Sequence, residues 1–315
     1  MNRKKRKKKS KPLKVLEYCL AFALISAARV TPFAVMRFIS TVLGDLLFVL
    51  VSKRRTIAIE NLSHALAREK SPPEIRRLAR ESCRSFFLTF LEIVRYRSLF
   101  SGPDAVRKMT SYGENLEALF LKAKKIHDQA GGCIFVTPHI GNWEVLPRVC
   151  SAIGIPLAIV ARPLDNEYLE RLIFRSRVAE GQFIIPKKNA LFTLQKTLQK
   201  GTSIGMLPDQ STMKGMVVEF FGRPATTTPV PAILAITYKR PIVVTAACRA
   251  GKGRYEGFVS DPIWPGIYES EKAEIRRITE EMTRAMEAVI RKYPGQYLWM
   301  HNRWKTYRDK KEIMA

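Results

Sequence analysis

The spacing of apolar and polar positions divides this chain into three stretches. Residues 15–51 carry two apolar runs, VLEYCLAFALISAA and FISTVLGDLLFVLV, each about 14 residues long and separated by Arg29, Pro32 and Arg37. Neither run reaches the roughly 20 apolar residues that a membrane-spanning helix needs. Glu17, Arg29, Arg37 and Asp45 would each be costly at the bilayer centre. The pattern predicts a helical hairpin, or a pair of interfacial helices, that enters and leaves one membrane face, with a single spanning helix as the alternative. A secretory signal fits poorly, because no convincing small-residue cleavage site follows the apolar run.

The second stretch is helical throughout. KRRTIAIENLSHALARE (53–69) reads as a basic amphipathic helix. The next helix opens with Ser71 as N-cap, Pro72 at the first helical position and Glu74 closing a capping box. Its apolar stripe runs Ile75, Leu78, Cys83, Phe86, Phe90 and Val94, spacing that suits core packing.

From residue 131 the period alternates between strand and helix. Strands are expected at 133–137, 155–161, 182–185, 202–207, 241–248 and 254–260, with helices near 143–153, 166–180 and 189–200. A further helix should open at Thr228-Pro229, and a long one capped by Ser270 should end at Pro294-Gly295. Residues 208–227 read as irregular. Alternation of this kind predicts an α/β fold with a largely parallel central sheet flanked by helices, preceded by a membrane-associated helical segment. The boundaries are a polybasic leader (1–14), an anchor (15–52), a helical region (53–110), an α/β domain (111–308) and a tail (309–315).

Charge narrows the partners. The 54 Lys+Arg against 28 Asp+Glu give +26, and the first 14 residues hold nine basic side chains and no acidic one. Without that leader the body still carries about +17, a field that draws anionic membranes, nucleic acid or an acidic carrier protein. The five cysteines are scattered without C-x-x-C spacing, which suits free thiols in a reducing compartment. No His stands at metal-ligand spacing from another His or Cys, so no metal or cofactor is expected. A non-enzymatic polybasic adaptor of membranes or nucleic acid would rest on charge alone.

Chemistry concentrates at His139-Ile140-Gly141-Asn142-Trp143-Glu144, which follows the apolar strand Cys133-Ile134-Phe135-Val136 through Thr137-Pro138. In a parallel sheet, ligands gather beyond the carboxyl ends of the strands. His139 is placed there after the first strand, Arg162 after the second and Asp209-Gln210 after the fourth. A neutral imidazole can take a proton from a hydroxyl. His139 and Glu144 would be roughly 140° apart on an ideal helix. They meet only if His139 lies in the strand–helix turn and Glu144, on the first helical turn, folds back to orient the ring. No Ser or Cys stands at a nucleophile elbow, so direct transfer to a deprotonated hydroxyl is favoured over a covalent enzyme intermediate.

These residues resemble the late acyltransferases of lipid A biosynthesis, within the wider glycerolipid acyltransferase group that carries a His-x4-Asp/Glu motif. HIGNWE matches that motif in its Glu-ending form. VARPLDNEYL (160–169) is similar to the Arg-Pro block, LPDQ (207–210) to the Pro-Asp-Gln block, and FFGRPATTTPVPAILA (220–235) to the Phe-Phe-Gly segment. PGQYLWMHNRWK (294–305) resembles the terminal aromatic run, with Asn302 where an Arg is usual; the polybasic leader is longer than usual.

The resemblance implies a glycerolipid-acyltransferase-like fold at the bacterial inner membrane, with the catalytic domain on the cytoplasmic side. It implies acyl-acyl carrier protein as donor, a hydroxyl of a lipid A precursor as acceptor, the anionic inner-membrane leaflet as a partner, and no nucleic acid. His139 would be the general base and Glu144 its orienting carboxylate. Arg162, Asp209, Gln210 and Asn142 would bind substrate, and Phe220 and Phe221 would either line the acyl channel or pack in the core. The same chemistry could act on a phosphatidylinositol mannoside or another lysolipid or aminolipid.

Overall fold

The computed structural model describes residues 10–100, 102, 104–161, 165–172, 183–186, 190–213, 215–251 and 253–305. At the centre lies a six-stranded sheet built from β1 (Ile134–Val136), β2 (Leu157–Ala161), β3 (Phe183–Pro186), β4 (Ser203–Met206), β7 (Ile242–Gly251) and β8 (Arg254–Val259). Their spatial order is β3-β2-β4-β1-β7-β8. All neighbours are parallel except β8, which turns back antiparallel to β7. The largely parallel sheet expected from the alternation is present.

Strand alternation assigns each side chain to a face. Ile134 and Val136 of β1 point to one side, where they pack with α8 (Ala190–Gln199), α9 (Val230–Tyr238) and the long α10 (Glu271–Lys292). Phe135 points to the other side, toward α6 (Leu116–Ala130) and α7 (Leu146–Ala152). α10 presents Ile275, Ile278, Met282 and Met286, all buried, in the 3–4 spacing of a single apolar stripe. Short α5 (Ala105–Thr110) completes this second layer.

At the amino end, α1 (Lys11–Val30) and α2 (Phe33–Leu50) are parted at Thr31-Pro32, followed by α3 (Ser52–Leu66) and the 28-residue α4 (Pro72–Leu99). The Ser71/Glu74 capping box that opens α4 is formed. α2 buries Met36, Ser40, Gly44 and Phe48, one residue per turn. A Cβ at Gly44 would lie 2.5 Å from the Arg84 backbone, so the glycine permits the close approach of α2 to α4. Asp45 of α2 is held by both Arg80 and Arg84 of α4 at 2.7–2.8 Å. The Arg84 hydrogen bond, with Arg80, outweighs burial and lowers its pKa to about 2. The opposite face of α2 leaves Val35, Phe38, Val42, Leu46 and Val49 exposed, and α1 adds Leu16, Leu20 and Phe22. By length and composition alone α2 could cross a bilayer, yet one of its faces is committed to α4.

Two elements differ from the pattern-based expectation. The segment read as irregular contains an antiparallel hairpin of β5 (Met216–Phe220) and β6 (Arg223–Thr227). Phe221 and Gly222 form its two-residue turn with φ of 52° and 70°, the double left-handed geometry favoured where strands turn tightly. The helix expected near 143 begins only at Leu146, with Trp143–Val145 forming a turn ahead of it.

Candidate active site

The site grows from the carboxyl ends of two neighbouring strands. β1 and β4 pair side by side in parallel, so the loops that leave them emerge on one rim. The β1 loop supplies His139 and the β4 loop supplies Asp209. Asp209 Oδ2 accepts the His139 backbone N–H at 2.8 Å, and Oδ1 lies 2.6 Å from His139 Nδ1. A carboxylate can only accept, so Nδ1 carries the proton and Nε2 presents its lone pair. That lone pair lies 3.4 Å from Nε2 of Gln210. The histidine side chain is 18% exposed and Asp209 only 2%.

Burial by itself would lower the His139 pKa; the Asp209 charge and hydrogen bond, with Glu144 adding to them, reverse this and raise it. Burial would raise Asp209, but the charge and hydrogen bonds of His139, with help from Arg303, hold it low. Arg303 is itself buried, donating to the Thr226 carbonyl and the Thr227 hydroxyl of β6 at 2.7 and 2.5 Å. Tyr297 is buried beside the same carboxylate, and burial together with the Asp209 charge pushes its pKa up.

The Nδ1 partner is therefore Asp209, not Glu144. Glu144 was expected on a first helical turn, but it stands in the turn before α7 and enters the imidazole's surroundings as a nearby charge.

The rest of the motif holds the turn in place. Gly141 adopts φ +57°, and a Cβ there would meet the Ala247 carbonyl at 2.1 Å. Its N–H donates to Gln296 O, its carbonyl accepts from the Thr89 hydroxyl, and the next N–H, of Asn142, donates to Ala247 O. Asn142 was expected to bind substrate; instead it is fully buried, with Nδ2 donating to Glu92 at 3.1 Å and to the Tyr255 hydroxyl at 3.3 Å. Glu92, on α4, is fully buried and receives Arg249 of β7 through both Nε and Nη2 at 2.6–3.0 Å. Arg249 also donates to Ser85 and Thr89. Neither Glu92 nor Arg249 was among the expected site residues. The available signal was a lone charge inside an apolar run, FLEIV for Glu92 and TAACRA for Arg249.

Beside His139, across the Trp143 ring (centroids 5.3 Å apart), opens an apolar cavity between the sheet and α5–α7. Thr137, Trp143 and Leu207 lie at its upper end; Ala123, Cys150 and Leu157 lie toward the amino ends of the strands. Phe220 and Phe221 do not line it. They are buried against Tyr297, Trp299 and Trp304 beneath the helical layer, with Arg303 stacked over Phe220. Arg162 lies outside the described residues.

A carboxylate-held histidine packed against a wall residue of an apolar cavity, on an α/β scaffold, has the parts of an enzyme that transfers acyl chains. Comparison with known proteins makes the class definite. Residues 3–306 match the family described as bacterial lipid A biosynthesis acyltransferase. The chain belongs to that family and is an acyltransferase. It is 26% identical over 280 residues to the lipid A biosynthesis palmitoleoyltransferase of Escherichia coli (strain K12), covering 87% of this chain and 86% of that one. The lipid A biosynthesis acyltransferase of Shigella flexneri matches to the same extent. That of Haemophilus influenzae is 26% identical over 302 residues, 93% of this chain and 92% of its own.

Proposed function

We propose that this protein moves a fatty acyl chain from acyl-acyl carrier protein to a hydroxyl of a lipid A precursor at the cytoplasmic face of the bacterial inner membrane. The observation that carries the reading is the His139 ring: Nδ1–H is committed to Asp209, Nε2 is left as a lone pair near Gln210, and the ring packs against Trp143, which lines the apolar cavity. Nε2 takes the acceptor hydroxyl's proton as that oxygen attacks the thioester carbonyl carbon. The carbon–sulfur bond breaks, and the thiolate leaves with the proton returned by the imidazolium. Asp209, and Glu144 from further off, stabilise that cation. Gln210, within reach of Nε2, orients the incoming hydroxyl. Arg162, in the Arg-Pro block, would serve the thioester oxyanion or an acceptor phosphate.

The donor's acyl chain occupies the cavity under Trp143. Membrane attachment is supported by the exposed apolar faces of α1 and α2 beside a basic leader. Mass spectrometry of lipid A from a deletion strain, compared with the strain complemented by wild type or His139→Ala, tests the reading. One acyl chain should be missing in the deletion, restored by wild type and absent with the variant. An unchanged lipid A profile would move the acceptor to another glycolipid.

A further inference from the structure

A second cavity, of about 540 Å³, lies between α2, α4, the β7–β8 hairpin and the end of α10. It contains none of His139, Glu144, Asp209 or Gln210. Five cationic side chains line it (Arg37, Arg84, Arg249, Arg254 and Lys292) against two carboxylates, Glu81 and Glu92. Most of the cations are spoken for. Arg84 is paired with Asp45, Arg249 with Glu92, and Lys292 with Glu256. Among the described residues Arg254 pairs with the exposed Glu114 at its rim, at 3.3 Å. Arg37 has no ion-pair partner among the described residues. The one carboxylate on its own helix, Asp45, is already clamped by two arginines.

An exposed guanidinium with no ion-pair partner among the described residues, beside a roomy cavity of mixed lining, suits an anion. The position of the cavity says which anion. It opens along the first two turns of α2, where Phe33, Arg37, Ser40 and Thr41 line it. The other side of those same turns is the exposed apolar face of Val35, Phe38 and Val42. A lipid lying against that face would bring its headgroup to Arg37, with the Thr41 hydroxyl beside it.

We propose that this cavity binds the phosphodiester headgroup of an anionic phospholipid, held by Arg37 with Arg254 at the rim. The site is separate from the acyl-transfer site and does not depend on that reading. Its inner wall is formed by Glu92, Arg249, Tyr255 and Gln296, the residues that support the turn carrying His139.

The test is calorimetric titration of the full chain in neutral detergent with dihexanoyl phosphatidylglycerol, dihexanoyl phosphatidylcholine and inorganic phosphate. Phosphatidylglycerol should bind at least tenfold tighter than either other probe. Arg37→Ala should weaken it at least tenfold, Arg37→Lys less, and Arg254→Ala by several-fold, while His139→Ala leaves it unchanged. Equal affinity in Arg37→Ala and Arg254→Ala would overturn the site. Inorganic phosphate binding as tightly as the lipid would overturn the headgroup assignment, and phosphatidylcholine binding equally would overturn the anion requirement. Loss of binding in His139→Ala would place the lipid in the acyl-transfer site instead. The Lys variant and the rim variant keep the test decisive should Arg37→Ala fold poorly.

Discussion

His139 and Asp209 stand 70 positions apart in the chain, and the Nδ1 of one lies 2.6 Å from the carboxylate of the other. Their meeting follows from two parallel strands placed side by side, β1 and β4, each ending at the same rim. Asp209 also takes the backbone N–H of His139. One carboxylate thus fixes the loop, the tautomer and the charge of the ring at once.

The pH dependence of acyl transfer should report this pair. In the proposed mechanism the neutral imidazole is the base, and Asp209 raises the His139 pKa above its ordinary 6.5. Activity should therefore climb with pH through a value above 6.5. Asp209→Asn removes the raising charge and leaves burial, so the climb should move to lower pH while kcat falls at least about a hundredfold through loss of the fixed tautomer. A pH profile of kcat/KM for both proteins checks this; an unmoved acid limb would separate Asp209 from the base. The same pair gives a stability signature. The raised histidine stabilises the fold below its unfolded pKa of about 6.5, and that stability fades as pH rises through the folded value. The depressed Asp209 stabilises it above about 3.9 and loses this as pH falls. Wild type should exceed Asp209→Asn in melting temperature most clearly between those limits.

His139→Ala should lower acyl transfer at least about a hundredfold while leaving far-ultraviolet circular dichroism and vesicle binding unchanged. Single-turnover assays with a labelled acyl donor measure the first and flotation the last. Near-normal turnover would end the general-base assignment.

Gly141→Ala should damage both fold and activity. The left-handed backbone alone costs about 1–2 kcal/mol for an L-residue, and the new methyl would sit 2.1 Å from the Ala247 carbonyl. Thermal melting and acyl transfer should fall together, whereas Gly222→Ala, with open space at its Cβ position, should leave turnover intact.

Glu92→Gln strands Arg249 without a counter-charge in the interior. Breaking one side of a buried ion pair costs about 3–5 kcal/mol. Replacing both, as Glu92→Leu with Arg249→Met, should recover much of that loss. Acyl transfer should not recover with it, because Asn142 and the turn would still lack their anchors. Denaturant unfolding and turnover, measured on wild type and both variants, separate the two effects.

Ala123→Phe should shorten the acyl chain the enzyme accepts. Ala123 lines the cavity near Leu157, which opens β2 at the end of the sheet away from His139. Competition between donors of different chain length should shift toward shorter chains, with little change for the shortest. An unaltered preference would place the chain elsewhere.

The local periods were the legible part of the chain. The capping box of α4, the stripe of α10 and the alternating strands each express physics confined to a few neighbouring residues, and each formed as read. His139 was legible for the same reason, since a strand end marks it. Its partner was harder, because proximity in sequence favoured Glu144 while the parallel pairing of β1 with β4 favoured Asp209. Asn142, Phe220 and Phe221 look alike in sequence whether they face a substrate or a core, and only the packing of α4 and the carboxyl-terminal segment buried them. The β5–β6 hairpin escaped notice because its turn uses Phe221, a side chain seldom found at positive φ.

The segment after α10 closes the active centre from the far end of the chain. Leu298 N–H donates to the His139 carbonyl, Tyr297 bridges Ile140, and Arg303 stands within the field of Asp209. During synthesis, which proceeds from the amino end, the helices and most of the sheet are complete before these residues emerge. A chain that stops before residue 297 thus leaves His139 without this support. Competence to transfer acyl groups should therefore arrive last, only once this segment has packed against the turn that carries His139.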